Sequence, residues 1–380
     1  MGPNLRVIAF LLIVAGTFVA CNIYTLIPIY DVLSVNFMTN TSTIALGSTA
    51  FTLFYAMGLL FFGTMSDTIG RKPVIVIGML TFSVASLLVG FANSEFMLIL
   101  TRGIQGFAGG SFAPVAFAYT FDLYTGKHRA LILSLINTGF LVAGILGQII
   151  STGITIDWGW NFVFYFFAII YFLLFLLSIK LLPTMKNQSP SDFQLKKTFH
   201  QFSKFIHSRN LLLCYFITFS LLLTPISFYD ALSQYLQPTR TEEELFSIRA
   251  IALLGTIFSF FGGPIHAKFK LKGSFYIGLL LLIGSLLPML FFPTYEVILY
   301  SAIVLVASIS ILIPTIIAII GTIETKARGS AIALYSFTLL VGASFGSLLT
   351  SMFEFRGVLV FLLLYGVLNI FLMRKISYSV

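Results

Sequence analysis

The stretch GTMSDTIGRKP, at Gly63–Pro73, lies between two long apolar runs. Its glycines permit a tight turn with close approach of the flanking segments, and Asp67, Arg71 and Lys72 place opposite charges beside that turn. Cations that only anchor a membrane topology would account for Arg71 and Lys72, but not for Asp67 or the paired glycines. The stretch therefore predicts a short, charged connection between two membrane-spanning helices.

Apolar runs of this kind recur along the whole chain. Of its 380 residues, 58% are hydrophobic and 9% are charged, which leaves too few polar residues to cover a soluble domain. Val74–Asn93, Ser274–Tyr295 and Gly357–Met373 are uncharged and near the length of about 20 residues that crosses a bilayer. The sequence thus predicts an all-α membrane protein with twelve spans, beginning near residues 5, 44, 74, 95, 129, 160, 210, 245, 273, 295, 328 and 357.

The net charge of +9 comes from cations on one side of the predicted membrane. With the charges placed between the spans, 18 of the 22 Lys and Arg residues share that side; the others are Arg102, Arg240, Arg249 and Arg356. By the positive-inside rule that side is cytoplasmic, and both termini lie there. The distribution argues against nucleic-acid binding and predicts a multi-pass protein of a plasma membrane, which we expect to be bacterial.

Metal, cofactor and enzyme chemistry find no support in the sequence. Cys21 and Cys214 fall inside apolar runs, which does not suggest a disulfide framework or a metal site. The histidines fall in predicted cytoplasmic segments without metal-ligand spacing: His128, His200, His207 and His266. No phosphate-binding glycine loop ending in Lys-Ser or Lys-Thr occurs. We therefore expect no metal, no cofactor and no catalytic residue.

An offset of 199 residues relates the two halves of the chain. It carries YDVLS (Tyr30–Ser34) onto YDALS (Tyr229–Ser233), and Lys127-x-Arg129 onto Lys326-x-Arg328. It also carries a face of small residues in span 5 onto one in span 11: Gly139, Ala143, Gly147 and Ser151 onto Thr338, Gly342, Gly346 and Thr350. One register across many spans predicts a duplication of six helices, as parallel repeats related by an axis along the membrane normal.

The longest polar interruption, about Pro183–Arg209, separates six spans from six. We therefore expect a six-helix bundle over residues 1–182, a cytoplasmic linker over 183–209 and a second, pseudo-symmetric bundle over 210–380. Aromatic residues and lysines alternate in the linker at helical spacing. It is predicted to be either an amphipathic helix on the lipid headgroups or a flexible connection.

The stretch at Gly63–Pro73 resembles the signature G-x-L-A-D-R-x-G-R-K that the major facilitator superfamily carries between its second and third helices. The resemblance implies that Asp67 interacts with the start of span 11. It also implies that Arg71 pairs with an acid at the end of span 4, here Asp122. The predicted cytoplasmic gate, latched while the protein opens outward, therefore comprises Gly63, Asp67, Gly70, Arg71, Lys72 and Asp122.

The second repeat carries an altered copy of this signature, GGPIHAKFKLK at Gly262–Lys272. His266 stands at the position of Asp67, and Lys270 at that of Arg71. A histidine here could serve as a pH sensor, but we expect His266 to be a solvated loop histidine.

LILTRGIQGFAGG, at Leu98–Gly110, resembles the family's L-x-x-x-R-x-x-Q-G motif in span 4. An arginine inside a bilayer is costly and usually faces a polar cavity or a partner, so a functional Arg102 is favoured over one that snorkels to the interface. The resemblance implies a link between Arg102 and proton coupling. Gln105 of the same motif, Asn22 and Arg249 are candidates for the substrate cavity, as is Tyr24.

Asp31 and Asp230 should lie near the outer ends of spans 1 and 7. For either alone, the simpler interpretation is a helix-end acid that faces water. Alternatively, both approach the central path when the outer gate shuts. Two carboxylates close together in a partly dry site cannot both stay ionised cheaply, so proton uptake would favour closure. Asp31, Arg102 and Asp230 are therefore the candidate proton-coupling residues.

Together these features predict a secondary transporter with the major facilitator fold, resembling the proton-coupled drug antiporters. It would export a small organic or amphipathic compound by alternating access, as a monomer whose partners are that compound, protons and lipids. A proton symporter for a nutrient is an alternative, and so is a dedicated metabolite or metallophore exporter. GFLVAGILGQ, at Gly139–Gln148, matches the family's antiporter pattern only in part, so the direction of transport stays open.

Overall fold

The computed structural model describes residues 3–184, 202–236 and 242–377. Most of the predicted linker, residues 185–201, lies outside the described residues. The main helices, numbered in chain order, are α1 (Pro3–Tyr24), α2 (Tyr30–Asn36), α3 (Thr41–Ile69), α4 (Arg71–Gly90), α5 (Glu95–Gly109), α6 (Ala113–Leu123), α7 (Gly126–Trp158), α8 (Trp160–Leu181), α9 (Arg209–Leu236), α10 (Glu242–Ala252), α11 (Gly262–Phe291), α12 (Tyr295–Ile323), α13 (Arg328–Met352) and α14 (Phe355–Lys375). Two 3₁₀ segments, Ile27–Ile29 and Leu253–Phe261, join α1 to α2 and α10 to α11.

Ten segments of the described residues are long and apolar enough to cross a membrane. They account for eleven predicted spans, because the 45-residue run Ser247–Phe291 contains both span 8 and span 9. Span 4 is divided between α5 and α6, with 15 and 11 residues, so neither piece reaches spanning length alone. The described residues are helical or connect helices, and the all-α prediction is confirmed for them.

The stretch at Gly63–Pro73 folds as the end of one helix, a single turn residue and the start of the next. α3 begins after Asn40, whose side chain accepts a hydrogen bond of 2.7 Å from the Thr43 amide. It ends at Gly70, whose φ of 98° is a conformation that residues with a Cβ rarely adopt. α4 follows at Arg71. The glycine therefore permits the sharp turn that keeps the charged residues of the stretch together.

The helices group into two compact units. The first comprises Met1–Leu123, Gly139–Phe199 and Ala327–Ser336, and in it α3 packs along α5 and α4 along α8. The second comprises Tyr124–Thr138, His200–Lys326 and Phe337–Val380, and in it α11 packs along α12 and α9 along α14. Each unit thus includes one short segment from the other half of the sequence: the start of α13 in the first and the start of α7 in the second.

Small residues bring helices into backbone contact in both units. In the first, a Cβ added at Gly147 of α7 would lie 2.6 Å from the carbonyl oxygen of Cys21 on α1. In the second, a Cβ added at Gly342 of α13 would lie 2.0 Å from the carbonyl oxygen of Phe219 on α9. Span 5 therefore packs on span 1 as span 11 packs on span 7, through the two faces of small residues.

Replacing Gly147 by Ala is expected to lower the melting temperature by several degrees, because overpacking against a rigid backbone costs about 1–3 kcal/mol. Gly153, two turns further along α7, has no atom within 4 Å of an added Cβ. Its replacement by Ala should leave the melting temperature unchanged or raise it, since Ala favours a helix over Gly by about 1 kcal/mol. Thermal unfolding of both variants in the same detergent gives the two melting temperatures to be compared. Equal melting temperatures would contradict the close packing of α1 on α7.

Candidate functional site

The last turn of α3 carries Asp67 against the first turn of α13, inside the first unit. Its Oδ1 accepts a hydrogen bond of 2.9 Å from the Gly329 amide, and its Oδ2 accepts bonds of 2.7 Å from both the amide and the hydroxyl of Ser330. The first N–H groups of a helix lack intrahelical partners, and the helix dipole favours a negative charge there. Asp67 therefore caps α13 from a distant part of the chain.

Arg71 joins this carboxylate to a second one. Its Nη1 lies 2.6 Å from Asp67 Oδ1 and donates a hydrogen bond of 2.7 Å to Ser66 Oγ. Its Nε lies 3.4 Å from Oδ2 of Asp122, at the end of α6. The side chains of Arg71 and Asp67 are only 4% and 7% exposed, so removing either one would leave the other buried without its nearest opposite charge.

Arg328, the first residue of α13, contributes a second cation. Its Nη1 lies 3.3 Å from Asp122 Oδ1, and its guanidinium carbon lies 4.9 Å from the centre of the Phe121 ring. The distance to the ring suits a cation–π interaction. Two acids and two arginines thus alternate around the start of α13. We call this set the latch: Asp67, Arg71, Asp122, Arg328, Gly329 and Ser330.

The backbones beneath the latch are in direct contact. A Cβ added at Gly63 would lie 2.4 Å from Ala333 Cβ and 2.9 Å from the carbonyl oxygen of Gly329. Gly63 therefore sets how closely α3 approaches α13. Lys72 lies apart from this contact, because its Nζ donates a hydrogen bond of 3.0 Å to the carbonyl oxygen of Ile179, near the end of α8.

The structure thus brings most of the predicted gate residues together around the start of α13. It identifies the individual partners, which the sequence analysis did not assign to the gate: Ser66, Arg328, Gly329 and Ser330. The last three lie at the start of span 11, where the resemblance implied a contact of Asp67.

The second unit repeats the close approach of the two segments at the equivalent glycine. A Cβ added at Gly262 would lie 3.3 Å from Ser134 Cβ, and these residues are the repeat equivalents of Gly63 and Ala333. His266, at the position of Asp67, is half-buried rather than solvated as expected. The guanidinium of Arg129 is close enough to act on it electrostatically. A histidine thus stands where the first copy has the capping carboxylate of Asp67.

Arg102 and Gln105, on adjacent turns of α5, belong to a buried polar network in the first unit. Arg102 donates from Nη1 to Gln105 Oε1, and from Nη2 to the carbonyl oxygen of Asn22 at 2.9 Å. Gln105 Nε2 donates to Asn22 Oδ1 at 3.0 Å and to Ser86 Oγ at 2.8 Å, and Asn22 Nδ2 donates to the Tyr171 hydroxyl. The network joins α1, α4, α5 and α8. Sequence reasoning did not name Ser86 or Tyr171.

The remaining predicted residues lie outside this network. Asp31 is exposed in the first turn of α2, and Tyr24 is half-buried at the end of α1. In the second unit Asp230 is half-buried on α9, and the guanidinium carbon of Arg249 lies 5.8 Å from the centre of the Tyr229 ring. Across residues 3–184, 202–236 and 242–377, no three His, Cys, Asp or Glu side chains are arranged to hold a metal ion.

A protein-family model described as Major Facilitator Superfamily matches residues 12–338. The chain belongs to the Major Facilitator Superfamily. Multidrug resistance protein 3 of Bacillus subtilis (strain 168) is 34% identical to this chain over 108 residues, which are 28% of the chain and 21% of that protein. Multidrug resistance protein MdtL of Klebsiella pneumoniae (strain 342) is 36% identical over 110 residues, 29% of the chain and 28% of that protein. The alignments thus span less than a third of either relative.

The fold is shared with a solved major facilitator structure. The proton:xylose symporter XylE bound to 6-bromo-6-deoxy-D-glucose matches with a TM-score of 0.78 at 15% identity, over 98% of this chain and 95% of that one. At such low identity the likeness concerns the fold alone. The predicted major facilitator fold is confirmed, and this chain is a multi-pass membrane protein.

Proposed function

We propose that this transporter exports a small organic or amphipathic compound from a bacterial cell, driven by protons that move inward. It would lie in the plasma membrane with both termini in the cytoplasm. The observation that carries the proposal is the latch, where Asp67 of one sequence repeat caps a helix of the other at 2.7–2.9 Å. The partial similarity to two multidrug resistance proteins supports export of an organic compound.

The latch has the properties that alternating access requires of a gate. In the closed arrangement its acids face arginines or helix amides, so each charge has partners. When the gate opens, water can take over those hydrogen bonds, so the net free energy per bond is modest, about 0.5–1.5 kcal/mol, or about 1.5–3 kcal/mol where a charge takes part. A substrate or a proton that binds one state more tightly than the other can then shift the equilibrium between the closed and the open gate.

We propose that Asp31, Arg102 and Asp230 take part in proton coupling, and that Tyr24 and Arg249 contact the substrate. Asn22 and Gln105 contribute to the same region through the network that holds Arg102. Asp31 and Asp230 occupy equivalent positions of the two repeats and are the groups proposed to take up protons.

Replacing Asp31 or Asp230 by Asn is expected to lower proton-driven transport by about tenfold or more, because an amide does not carry the proton. Exchange of the compound without a pH gradient should continue. Asp157, an exposed acid near the end of α7, provides the control, since its replacement by Asn should change neither rate. Full proton-driven transport by both D31N and D230N would rule out these carboxylates.

Symport of a nutrient is the second candidate, because Gly139–Gln148 matches the family's antiporter pattern only in part and so leaves the direction of transport open. Reconstitution in liposomes with an imposed pH gradient separates the two. Labelled dyes and metabolites are added, and their movement is followed together with the internal pH. Movement opposite to the protons supports export by antiport, and movement with them supports symport. A compound flux that ignores the pH gradient would contradict proton coupling in either direction.

A further inference from the structure

Span 1 is interrupted inside the first unit. α1 ends at Tyr24, a 3₁₀ segment covers Ile27–Ile29 and α2 begins at Tyr30. Thr25 and Leu26, between these elements, are fully buried. The last carbonyl groups of a helix lack intrahelical partners. In the interior of a membrane protein, bulk water does not supply the missing hydrogen-bond donors. The interruption therefore needs hydrogen-bond donors from other helices.

Side chains from two other helices supply those donors. Arg102 Nη2, on α5, donates to the carbonyl oxygen of Asn22 at 2.9 Å, and Thr25 Oγ1 donates to the same oxygen at 3.2 Å. Ser151 Oγ, on α7, donates to the carbonyl oxygen of Thr25 at 2.7 Å. A cation near the C-terminal end of a helix is also favoured by the helix dipole. The carbonyl groups at and just after the end of α1 are thus hydrogen-bonded, so α1 does not end in a frayed turn.

Arg102 is itself fixed in place. Its side chain is fully buried, its guanidinium carbon lies 4.1 Å from the centre of the Phe51 ring, and Nη1 is bonded to Gln105. Within the described residues its hydrogen-bond acceptors are neutral: one amide oxygen and one main-chain carbonyl. A charge inside a membrane protein is costly. The direct hydrogen bond to the Asn22 carbonyl indicates that Arg102 stabilises the end of α1.

The second repeat provides an internal comparison. At an offset of 199, Ser301 stands at the position of Arg102, and Ser227 at that of Pro28. The equivalent helix, α9, runs unbroken from Arg209 to Leu236 although Pro225 lies inside it. Proline alone therefore does not interrupt a helix in this chain. The repeat that has the buried arginine has the interruption, and the repeat without the arginine has a continuous helix.

We propose that Arg102 is a positioning residue that keeps span 1 divided, so that α2 and its Asp31 move as a separate element during transport. Without the guanidinium, the carbonyl oxygen of Asn22 is free to accept from the Leu26 amide, and α1 extends across the interruption. The role in transport rests on the proposed function, whereas the division of span 1 does not.

Hydrogen exchange of the purified full chain tests the division itself. Replacing Arg102 by Met should slow exchange in peptides that cover residues 22–31 by about tenfold, because the loss of a hydrogen bond from a charged group to the Asn22 carbonyl favours the continuous helix. Ser301→Met, the matched change in the second repeat, should leave exchange in α9 unchanged. Unchanged exchange in residues 22–31 would overturn the proposal. Faster exchange would overturn it too, since it would show that Arg102 only anchors packing.

Transport by reconstituted protein tests the consequence. R102M should reduce the maximal rate by about tenfold with KM within about twofold, because the loss affects movement and not substrate binding. Adding Ile27→Pro should restore most of the rate. Proline fits the first position of the 3₁₀ segment and removes the N–H that a continuous helix would need at that point. R102K should retain part of the maximal rate, since a lysine ammonium can donate to the Asn22 carbonyl oxygen. It cannot also bind Gln105 with the planar, forked geometry of a guanidinium.

Failure of the positioning role of Arg102 can be distinguished from failure of the proposed function. Failure of Ile27→Pro to restore the rate would show that Arg102 acts through its charge and not through the division of span 1, which would overturn the positioning role. If the unmodified chain moves no compound in liposomes, the proposed function fails, and the exchange experiment on residues 22–31 still decides whether Arg102 keeps the helix divided.

Discussion

Asp67→Asn is expected to release the start of α13. The amide keeps one oxygen, but its NH₂ group would face the N–H donors of Gly329 and Ser330, and Arg71 would lose its nearest carboxylate. Removing one partner of a buried pair costs about 3–5 kcal/mol. Because each 1.4 kcal/mol is a factor of about ten, the open latch should become roughly a hundredfold or more populated relative to the closed one.

Hydrogen exchange of the first amides of α13 measures this directly, because Gly329 and Ser330 donate to Asp67 in the closed latch. Their exchange in D67N should be roughly a hundredfold faster than in the unmodified chain. Asp122→Asn is the matched control. Its carboxylate is 21% exposed and pairs at 3.3–3.4 Å, so we expect a smaller change that fades at high salt. Equal effects of the two variants would contradict the capping role of Asp67.

Arg71→Met is expected to have the second largest effect. It removes the cation that lies 2.6 Å from Asp67 and 3.4 Å from Asp122, and leaves two acids near each other. Asp67 keeps its bonds to α13, so exchange of the Gly329 and Ser330 amides should rise by about tenfold, less than in D67N. Transport should fall, because like charges now favour the open gate. Liposome uptake and hydrogen exchange on the same preparation check both results.

A double variant with the two charges exchanged distinguishes the contribution of the Asp67–Arg71 ion pair from that of the helix cap. D67R with R71D restores opposite charges four residues apart, but it places a cation against the N-terminus of α13, where the helix dipole disfavours it. The double variant should therefore transport no better than D67N. Recovery of transport by the reversed pair would show that the ion pair alone closes the latch and that the cap contributes little.

Local chemistry predicts only part of the latch, the turn glycine with Asp67 and Arg71, because a tight turn flanked by opposite charges between two apolar runs is unusual. The contact of Asp67 with the start of span 11 and the pairing of Arg71 with Asp122 were implied by the resemblance to the major facilitator superfamily. Ser330 and Gly329 could not be found in this way. They act through backbone amides at a helix start, and any residue types can supply those, so only the tertiary contact with Asp67 distinguishes them.

The interruption of span 1 is a second feature that the sequence alone does not predict. Pro28 is visible in the sequence, but so is Pro225, and only the first lies at an interruption. What differs is the set of donors around the helix end, from Arg102 and Ser151, which the chain brings together from distant positions. Arg102 was recognised as unusual because charge is costly in a membrane. Its partner, a main-chain carbonyl, leaves no trace in residue identity.

Alternating access requires that the start of span 5 part from the end of span 8 in every cycle. Cysteines at Ser134 and Gly262 test this, because a Cβ at Gly262 lies 3.3 Å from Ser134 Cβ, close to the spacing of about 3.5–4.5 Å in a disulfide. Cys21 and Cys214, both buried, are replaced by Ser in the same chain. Oxidation of S134C/G262C should stop compound flux in liposomes, and reduction should restore it. Undiminished flux through the cross-linked protein would contradict the alternating-access account.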